Sequence, residues 1–298
     1  MTEPMIKGFD QQGKPVEIPR DKWAAEMLPQ ALKQAESDMP ALANLVGFAL
    51  QNGCAAQVVD AAKRLARNDP DRIRGRNLYG AALASAGKYD EAETELENLI
   101  VFAGDEPTAL VNLAQLKARK NESEAASDCV RRALQADPNH GSAFEIVATN
   151  ARKRNGDAGF LTACRELAKD ARAWRARLWL ARARLGLGEF DAAVALYREA
   201  MPHAKASGEA LTQITGDLAN AGRLADAADL AGPVYRAQTH GPYVAVNLIR
   251  VYIALGKKAE AEAIVAEGRK VFGPPWAPTF DAIEKELAAM KPDVGGNS

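Results

Sequence analysis

Cysteine is scarce in this chain. Three occur in 298 residues, at Cys54, Cys129 and Cys164, with no Cys-x-x-Cys pair among them. That spacing excludes a zinc ribbon and a thioredoxin-type motif, and the apolar surroundings predict small buried thiols. Aromatic residues are also few, at 6%, and Val and Ile are too sparse for an all-β chain. No apolar run reaches the roughly 18 residues of a membrane span. An excess of charge is missing as well: 38 Lys and Arg face 39 Asp and Glu, for a net charge of −1. At a pI of ≈ 6.4 a charge-driven nucleic-acid binder is not expected. The first residues carry no basic stretch followed by an apolar one, so no secretory signal is predicted and the expected compartment is cytoplasmic.

What the chain does have is alanine, about a fifth of its residues against an average usage well below that. Ala is the strongest helix former and lets helices approach closely. With 47% hydrophobic residues the chain can build a core, and intrinsic disorder is excluded for most of its length.

A period is visible in four short segments: Gly87-Lys-Tyr-Asp-Glu-Ala-Glu, Gly188-Glu-Phe-Asp-Ala-Ala-Val, Gly222-Arg-Leu-Ala-Asp-Ala-Ala and Gly256-Lys-Lys-Ala-Glu-Ala-Glu. Gly53 to Gly87, Gly188 to Gly222 and Gly222 to Gly256 are each 34 residues apart. Pro70 and Pro138, both after Asp, differ by twice that. Laid on this ruler, the chain divides into seven units starting near Met39, Ile73, Pro107, Gly141, Trp174, Gly208 and Pro242, with one residue missing near Lys169 to Ala173. Positions 4, 7, 8 and 11 of a unit make one apolar helix face, and positions 20, 24 and 27 make a second. Gly at position 15 suits a helix end with positive φ, and Pro near 32 halts the second helix.

This pattern resembles the tetratricopeptide repeat (TPR) family. It is carried by Asn112-Leu113-Ala114, Ala126, Ala133 and Pro138 in the third unit and by Tyr79-Gly80, Leu83, Gly87, Ala92, Leu96 and Leu99 in the second. The fifth carries Leu180-Ala181, Gly188, Ala193, Tyr197 and Ala200, and the seventh Leu248, Tyr252, Gly256 and Ala261. The resemblance implies an all-α fold, a right-handed superhelical solenoid of about seven helix hairpins with capping helices at both ends. Each hairpin leaves apolar surface for a neighbour to cover, so the array must stack.

The expected organisation is an N-terminal extension over 1–19 with a short hairpin, capping helices over 20–38, seven units over 39–275, a capping helix over 276–290 and a disordered tail over 291–298. The hairpin is read from Val16 and Ile18 alternating after a turn that contains Gly13. Pro29 should kink or break the first capping helix. Phe280, Ile283, Leu287 and Met290 give the last helix its apolar face.

No catalytic motif is present. Gly80 to Gly87-Lys88 is two residues too long for a phosphate loop, and Tyr89 stands where Ser or Thr is needed. His140, His203 and His240 fall in different units near turns, so no metal site is expected and all three are read as solvated. No cofactor is predicted. One cluster interleaves Arg172, Arg175, Arg177, Arg182 and Arg184 with Trp174 and Trp179.

By resemblance, positions 2, 5, 9, 12 and 13 of each first helix line a concave groove. On this ruler that groove carries Asn77, Gln115, Arg119, Glu145, Thr149, Arg152, Lys153, Arg175, Arg182, Asn220, Tyr243 and Arg250. The lining is mostly basic, which predicts an acidic protein or peptide partner. The terminal-carboxylate clamp of some family members is not reproduced, since Ala43, Gly47, Val111 and Gln115 occupy its positions; Asn112 and Asn247, at position 6, are read as structural. The function expected is a non-enzymatic protein-binding scaffold. Two alternatives stay open: a regulator that contacts nucleic acid through the cluster at 172–184, and a non-catalytic subunit of an enzyme complex.

Overall fold

The computed structural model describes residues 4–9 and 15–290. The turn of the predicted N-terminal hairpin, 10–14, and the predicted tail, 291–298, lie outside the described residues. The chain forms two compact units, Met1–Ala143 and Phe144–Ser298.

In the first unit β1 (Met5–Phe9) pairs antiparallel with β2 (Pro15–Pro19), placing Ile6 opposite Ile18. Ile6 is buried in one apolar cluster with Trp23, Leu28 and Leu42, which ties the hairpin to the helices. The first helix does not break at Pro29. It runs as α1 (Arg20–Lys22), a π-helical turn (Trp23–Met27) and α2 (Leu28–Gln34). Pro lacks an N–H and its ring crowds the carbonyl four residues earlier; one widened turn just before Pro29 accommodates both. Three helix hairpins follow: α3 (Met39–Gln51) with α4 (Ala55–Asn68), α5 (Arg72–Ser85) with α6 (Tyr89–Ala103), and α7 (Pro107–Arg119) with α8 (Ser123–Ala136). Each first helix packs on the next first helix, α3 on α5 and α5 on α7, while α4 and α6 pack on the helix that follows them.

The second unit repeats this plan. Helix α9 (Gly141–Leu167) bends at Asn155 (φ −137°) and Gly156 (φ 58°, ψ −150°) into two legs. It is followed by α10 (Trp174–Gly186) with α11 (Phe190–Ala204), α12 (Gly208–Asn220) with α13 (Leu224–Ala231), and α14 (Ala237–Ala254) with α15 (Lys258–Val271). A 3-10 turn (Pro274–Trp276) leads to α16 (Ala277–Ala289), which buries Phe280, Ile283 and Leu287. The fold is all-α apart from the terminal strand pair, with helices in sequential hairpin contact.

The repeat register survives in the packing. Position 8 is buried in every unit, at Val46, Gly80, Ala114, Ala148, Ala181, Thr215 and Ile249, and so is position 24, from Ala62 to Val265. Each fully buried Leu or Val contributes about 1.5–3 kcal/mol over exposure. Position 7 is less uniform than expected: Leu113, Ile214 and Leu248 are buried, but Leu45, Tyr79, Val147 and Leu180 are only half-buried. It lies about 100° round the helix from position 8, at the edge of the contact. The turn inside each hairpin takes a positive φ, for example 81° at Gly87. In the third unit Asn121 (φ 63°) stands where five other units have glycine, and Asn tolerates that region better than most residues; the fourth unit has Asn155 there and takes its positive φ one residue later, at Gly156. In the fourth unit Cys164 still holds position 24, and the second leg of α9 ends early, at Leu167, before the connection at 168–173.

Side chains close the helix ends. Asp38, Asp71, Glu106 and Ser207 accept the amide protons of Ala41, Arg74, Ala109 and Ala210 at 2.6–3.2 Å. Asp69 is 1% exposed and takes a fork from Arg74, Nε to Oδ2 2.9 Å and Nη2 to Oδ1 2.8 Å. Those bonds hold its carboxyl below the usual carboxylate range against the opposing effect of burial. All three cysteines are buried and free, and burial pushes their thiols up, Cys164 to about 12.

Candidate functional site

In the second unit, the first helices α10, α12 and α14 line an open cleft of ≈ 740 Å³. Its wall on α12 is cut away by two glycines. A Cβ at Gly208 would lie 2.6 Å from the His240 carbonyl oxygen, so α12 can start against α14 only with glycine there. A Cβ at Gly216 would meet only Asn247 Nδ2, at 3.7 Å, so that glycine simply leaves room. Ser207 caps the helix start.

The floor and walls are polar. Gln213 lines the cleft, and its Nε2 is buried without an acceptor. Asn247 spends Nδ2 on Thr212 O at 3.2 Å and Thr215 Oγ1 at 3.0 Å, which ties α14 to α12 and leaves Oδ1 as an acceptor. Tyr243 stands at the rim, 67% exposed, with its ring edge-on to Trp276 at 5.1 Å. His240 is not solvated, contrary to expectation: it is 7% exposed. Helix α14 begins at Ala237, earlier than the repeat register predicts, and bends at Gly241 (φ 78°), which tucks the imidazole under α12. Nδ1 accepts from Arg236 N at 2.9 Å, so Nε2 donates to Lys205 O at 2.8 Å and satisfies a carbonyl at the end of α11.

The arginines expected to make a basic stripe are spent on carboxylates. Arg182 holds Asp217 through Nε–Oδ1 and Nε–Oδ2 at 3.1 Å and Nη2–Oδ1 at 2.8 Å, and lies 4.7 Å over the Trp179 ring. Asp217 also accepts from the fully buried Tyr197 hydroxyl at 2.9 Å. Burial, and secondarily that carboxylate, push the Tyr197 phenol far above its ordinary value. Arg175 makes a two-pronged pair with Glu209, one arm at 2.7 Å, and stacks on Trp174. Arg250 pairs with Glu286 at 2.6 Å. Arg152 pairs with Asp157 at 2.9 Å and covers Phe160 at 4.2 Å. The cluster at 172–184 is therefore matched by carboxylates around it: Arg172 and Arg184 sit on Asp170 and Glu189, Arg177 donates to backbone carbonyls with Glu199 3.9 Å away, and Trp174 is buried.

Of the residues proposed from the sequence, Arg182, Asn220 and Tyr243 meet in this one cleft, and Arg175 reaches its edge through Glu209. Arg250 is exposed on α14 outside the lining. Glu145, Thr149 and Arg152 share the first leg of α9, where Thr149 Oγ1 donates to Glu145 at 3.1 Å. Lys153 is exposed beside them. In the first unit, Gln115 and Arg119 are exposed on α7, and Arg119 donates to Ala84 O at 3.0 Å. Asn77 is buried in a separate cleft. The residues missed are Glu209, Thr212, Gln213 and Asp217. Glu209 and Thr212 occupied lining positions in the register; Gln213 and Asp217 lie one step round the helix, and only the neighbouring helices turn them inward.

Among the described residues no three His, Cys, Asp or Glu side chains converge as metal ligands, and no helix is long and apolar enough to cross a membrane. A family model described as Tetratricopeptide repeat matches residues 107–140, and a second of the same description matches 174–199 and 242–267. Their starts coincide with the third, fifth and seventh units of the sequence register. Solved structures similar to the chain include a tetratricopeptide repeat protein from Parabacteroides merdae, at 15% identity over 84% of this chain and 98% of that one, TM-score 0.35. Yeast Tom70 is similar at 13% identity over 91% of this chain and 60% of that one, TM-score 0.48. PilW, a type IV pilus biogenesis factor, matches at 16% identity over 72% and 99%, TM-score 0.38. No curated protein sequence matches the chain.

Proposed function

The chain is a tetratricopeptide repeat protein, and from that premise we propose that it is a non-enzymatic scaffold holding an extended segment of a partner polypeptide in the cleft of α10, α12 and α14. The observation that carries this is the Gln213 amide. A buried donor left unpaired costs about 1–3 kcal/mol, and a main-chain carbonyl entering the cleft would satisfy it. Asn247 Oδ1 and Asn220 offer the complementary polar groups, and Tyr243 supplies a rigid exposed ring of the kind that anchors partners.

An acidic partner was expected from the arginines, but within the cleft Arg182 is matched by Asp217, and at its edge Arg175 by Glu209. A segment without strong net charge fits that balance better, held by hydrogen bonds more than by field. Affinity purification with the full chain, repeated with Gln213→Ala and Tyr243→Ala, tests the reading. The expected result is a partner retained by the wild type and lost from both variants at equal helicity, with little change as salt is raised. A partner indifferent to both substitutions, or one released by moderate salt, would count against it.

A further inference from the structure

The first unit has its own cleft, of ≈ 450 Å³, and its chemistry is the opposite of what the arginine pattern suggested. Asn77, on α5, lies at its base and is 7% exposed. Its Nδ2 donates to Glu106 Oε2 at 2.8 Å, while its Oδ1 is buried with no donor. The amide cannot be usefully reversed, because Oδ1 would then face the Glu106 carboxylate. The orphan is therefore an acceptor.

The charged groups around it are also acceptors in excess. Glu106 Oε2 takes two N–H groups, from Asn77 and from Ala109 at 2.6 Å, and no cation pairs with this carboxylate among the described residues. Asp71 caps α5 through Oδ1 and likewise has no cationic partner among them. Arg74 lines the same cleft, but its guanidinium is committed to the buried Asp69 by two bonds. Arg74 is spent mainly on Asp69 and only more weakly feels Asp71, so Asp71 and Glu106 leave the lining with more carboxylate than free cation, beside an unpaired amide oxygen. The same lining carries the apolar side chains of Ile73 and Leu78, both on α5.

We propose that this cleft seats a lysine or arginine side chain of a partner polypeptide, its charged head on Glu106, Asp71 and Asn77 Oδ1 and its stem along Ile73 and Leu78. Ammonium and guanidinium groups carry donors only, so each new bond meets an acceptor and none is wasted. Their long methylene stems cover apolar surface while the head stays polar. An acidic residue would be repelled by both carboxylates. A neutral amide would bring an acceptor where none is needed. The inference does not depend on the cleft of the second unit.

The test is titration of the ¹⁵N-labelled full chain with three blocked tripeptides, Gly-Lys-Gly, Gly-Arg-Gly and Gly-Gln-Gly. The Lys or Arg peptide should shift, saturably, the Asn77 side-chain amide and the signals of Thr108, which lines the same cleft; the Gln peptide should not. Asp71→Asn keeps the helix cap, since Asn caps as well as Asp, and should weaken the basic peptide about fivefold. Glu106→Gln should weaken it further. Gln213→Ala, in the second unit, should leave it unchanged, which separates this site from the other. An equal response to the Gln peptide, or no loss with Asp71→Asn, would overturn the assignment. So would saturation by spermidine with no response to either basic peptide, which would make the cleft a site for free amines.

Discussion

Arg182 and Asp217 form a two-pronged ion pair, with Nη2 2.8 Å from Oδ1 and Nε 3.1 Å from both carboxylate oxygens. The first is at position 9 of one unit and the second at position 10 of the next. The pair joins α10 to α12 along the wall of the cleft, and the Tyr197 hydroxyl completes it from behind. Asp217→Ala should therefore cost more than Arg182→Gln. The former leaves a fully buried phenol unpaired, at about 1–3 kcal/mol. The latter removes a half-exposed cation, at about 1 kcal/mol or less. Urea unfolding of the two variants gives the order, and the reverse order would show that Tyr197 does not depend on Asp217.

Reversing the charges at Arg152, Arg182 and Arg250 together would set Glu against Asp157, Asp217 and Glu286. The expected outcome is a lower melting temperature in the absence of any partner. An unchanged melting temperature would mean that these pairs do not form in solution.

The two cleft glycines should respond oppositely to alanine. Gly208→Ala drives a Cβ into the His240 carbonyl at 2.6 Å and should cost about 1–3 kcal/mol. Gly216→Ala has ordinary contact at 3.7 Å and should gain about 0.5–1 kcal/mol from helix propensity, while narrowing the cleft. Thermal denaturation reads both, and equal shifts would contradict the close crossing of α12 and α14.

Asn121 holds φ at 63°. Asn121→Gly should be neutral or slightly stabilising, whereas Asn121→Val should cost about 1–2 kcal/mol. Melting temperatures decide this, and a harmless valine would mean that the turn relaxes.

Acid should act through Asp69. Its folded carboxyl titrates below the unfolded one because Arg74 donates two hydrogen bonds to it. The unfolded chain therefore takes up the proton first as pH falls. The stabilisation is complete above the unfolded value of about 3.9 and is lost as pH drops through the folded value. Asp69→Asn should be less stable than wild type at neutral pH, with the gap closing as pH falls below the unfolded value of about 3.9. A gap independent of pH would rule out the ionised pair as its source.

The repeat itself was legible because helix pairing is local. A 34-residue period, a buried residue at position 8 that is small in most units, and a turn glycine at position 15 in most units each act within one hairpin, so Gly87, Ala92 and Leu96 announce their places without reference to the rest of the chain. Even the exception at Asn121 keeps the turn, since Asn can enter the same backbone region. The site was legible only in outline. The register put Arg182, Asn220 and Tyr243 on one surface, but it counted the arginines as free charge. Whether a cation is free depends on what the neighbouring helix presents, and Asp217 and Glu209 belong to a different unit from Arg182 and Arg175. His240 was misread for the same reason: an early start to α14 and a bend at Gly241 bury it. The amino-acid sequence determined the hairpins through contacts close along the chain. The pairing of Arg175 with Glu209 and of Arg182 with Asp217, the Asn77–Glu106 bond and the sign of each cleft were decided by side chains about 30 residues apart or more, brought together only when the helices stack.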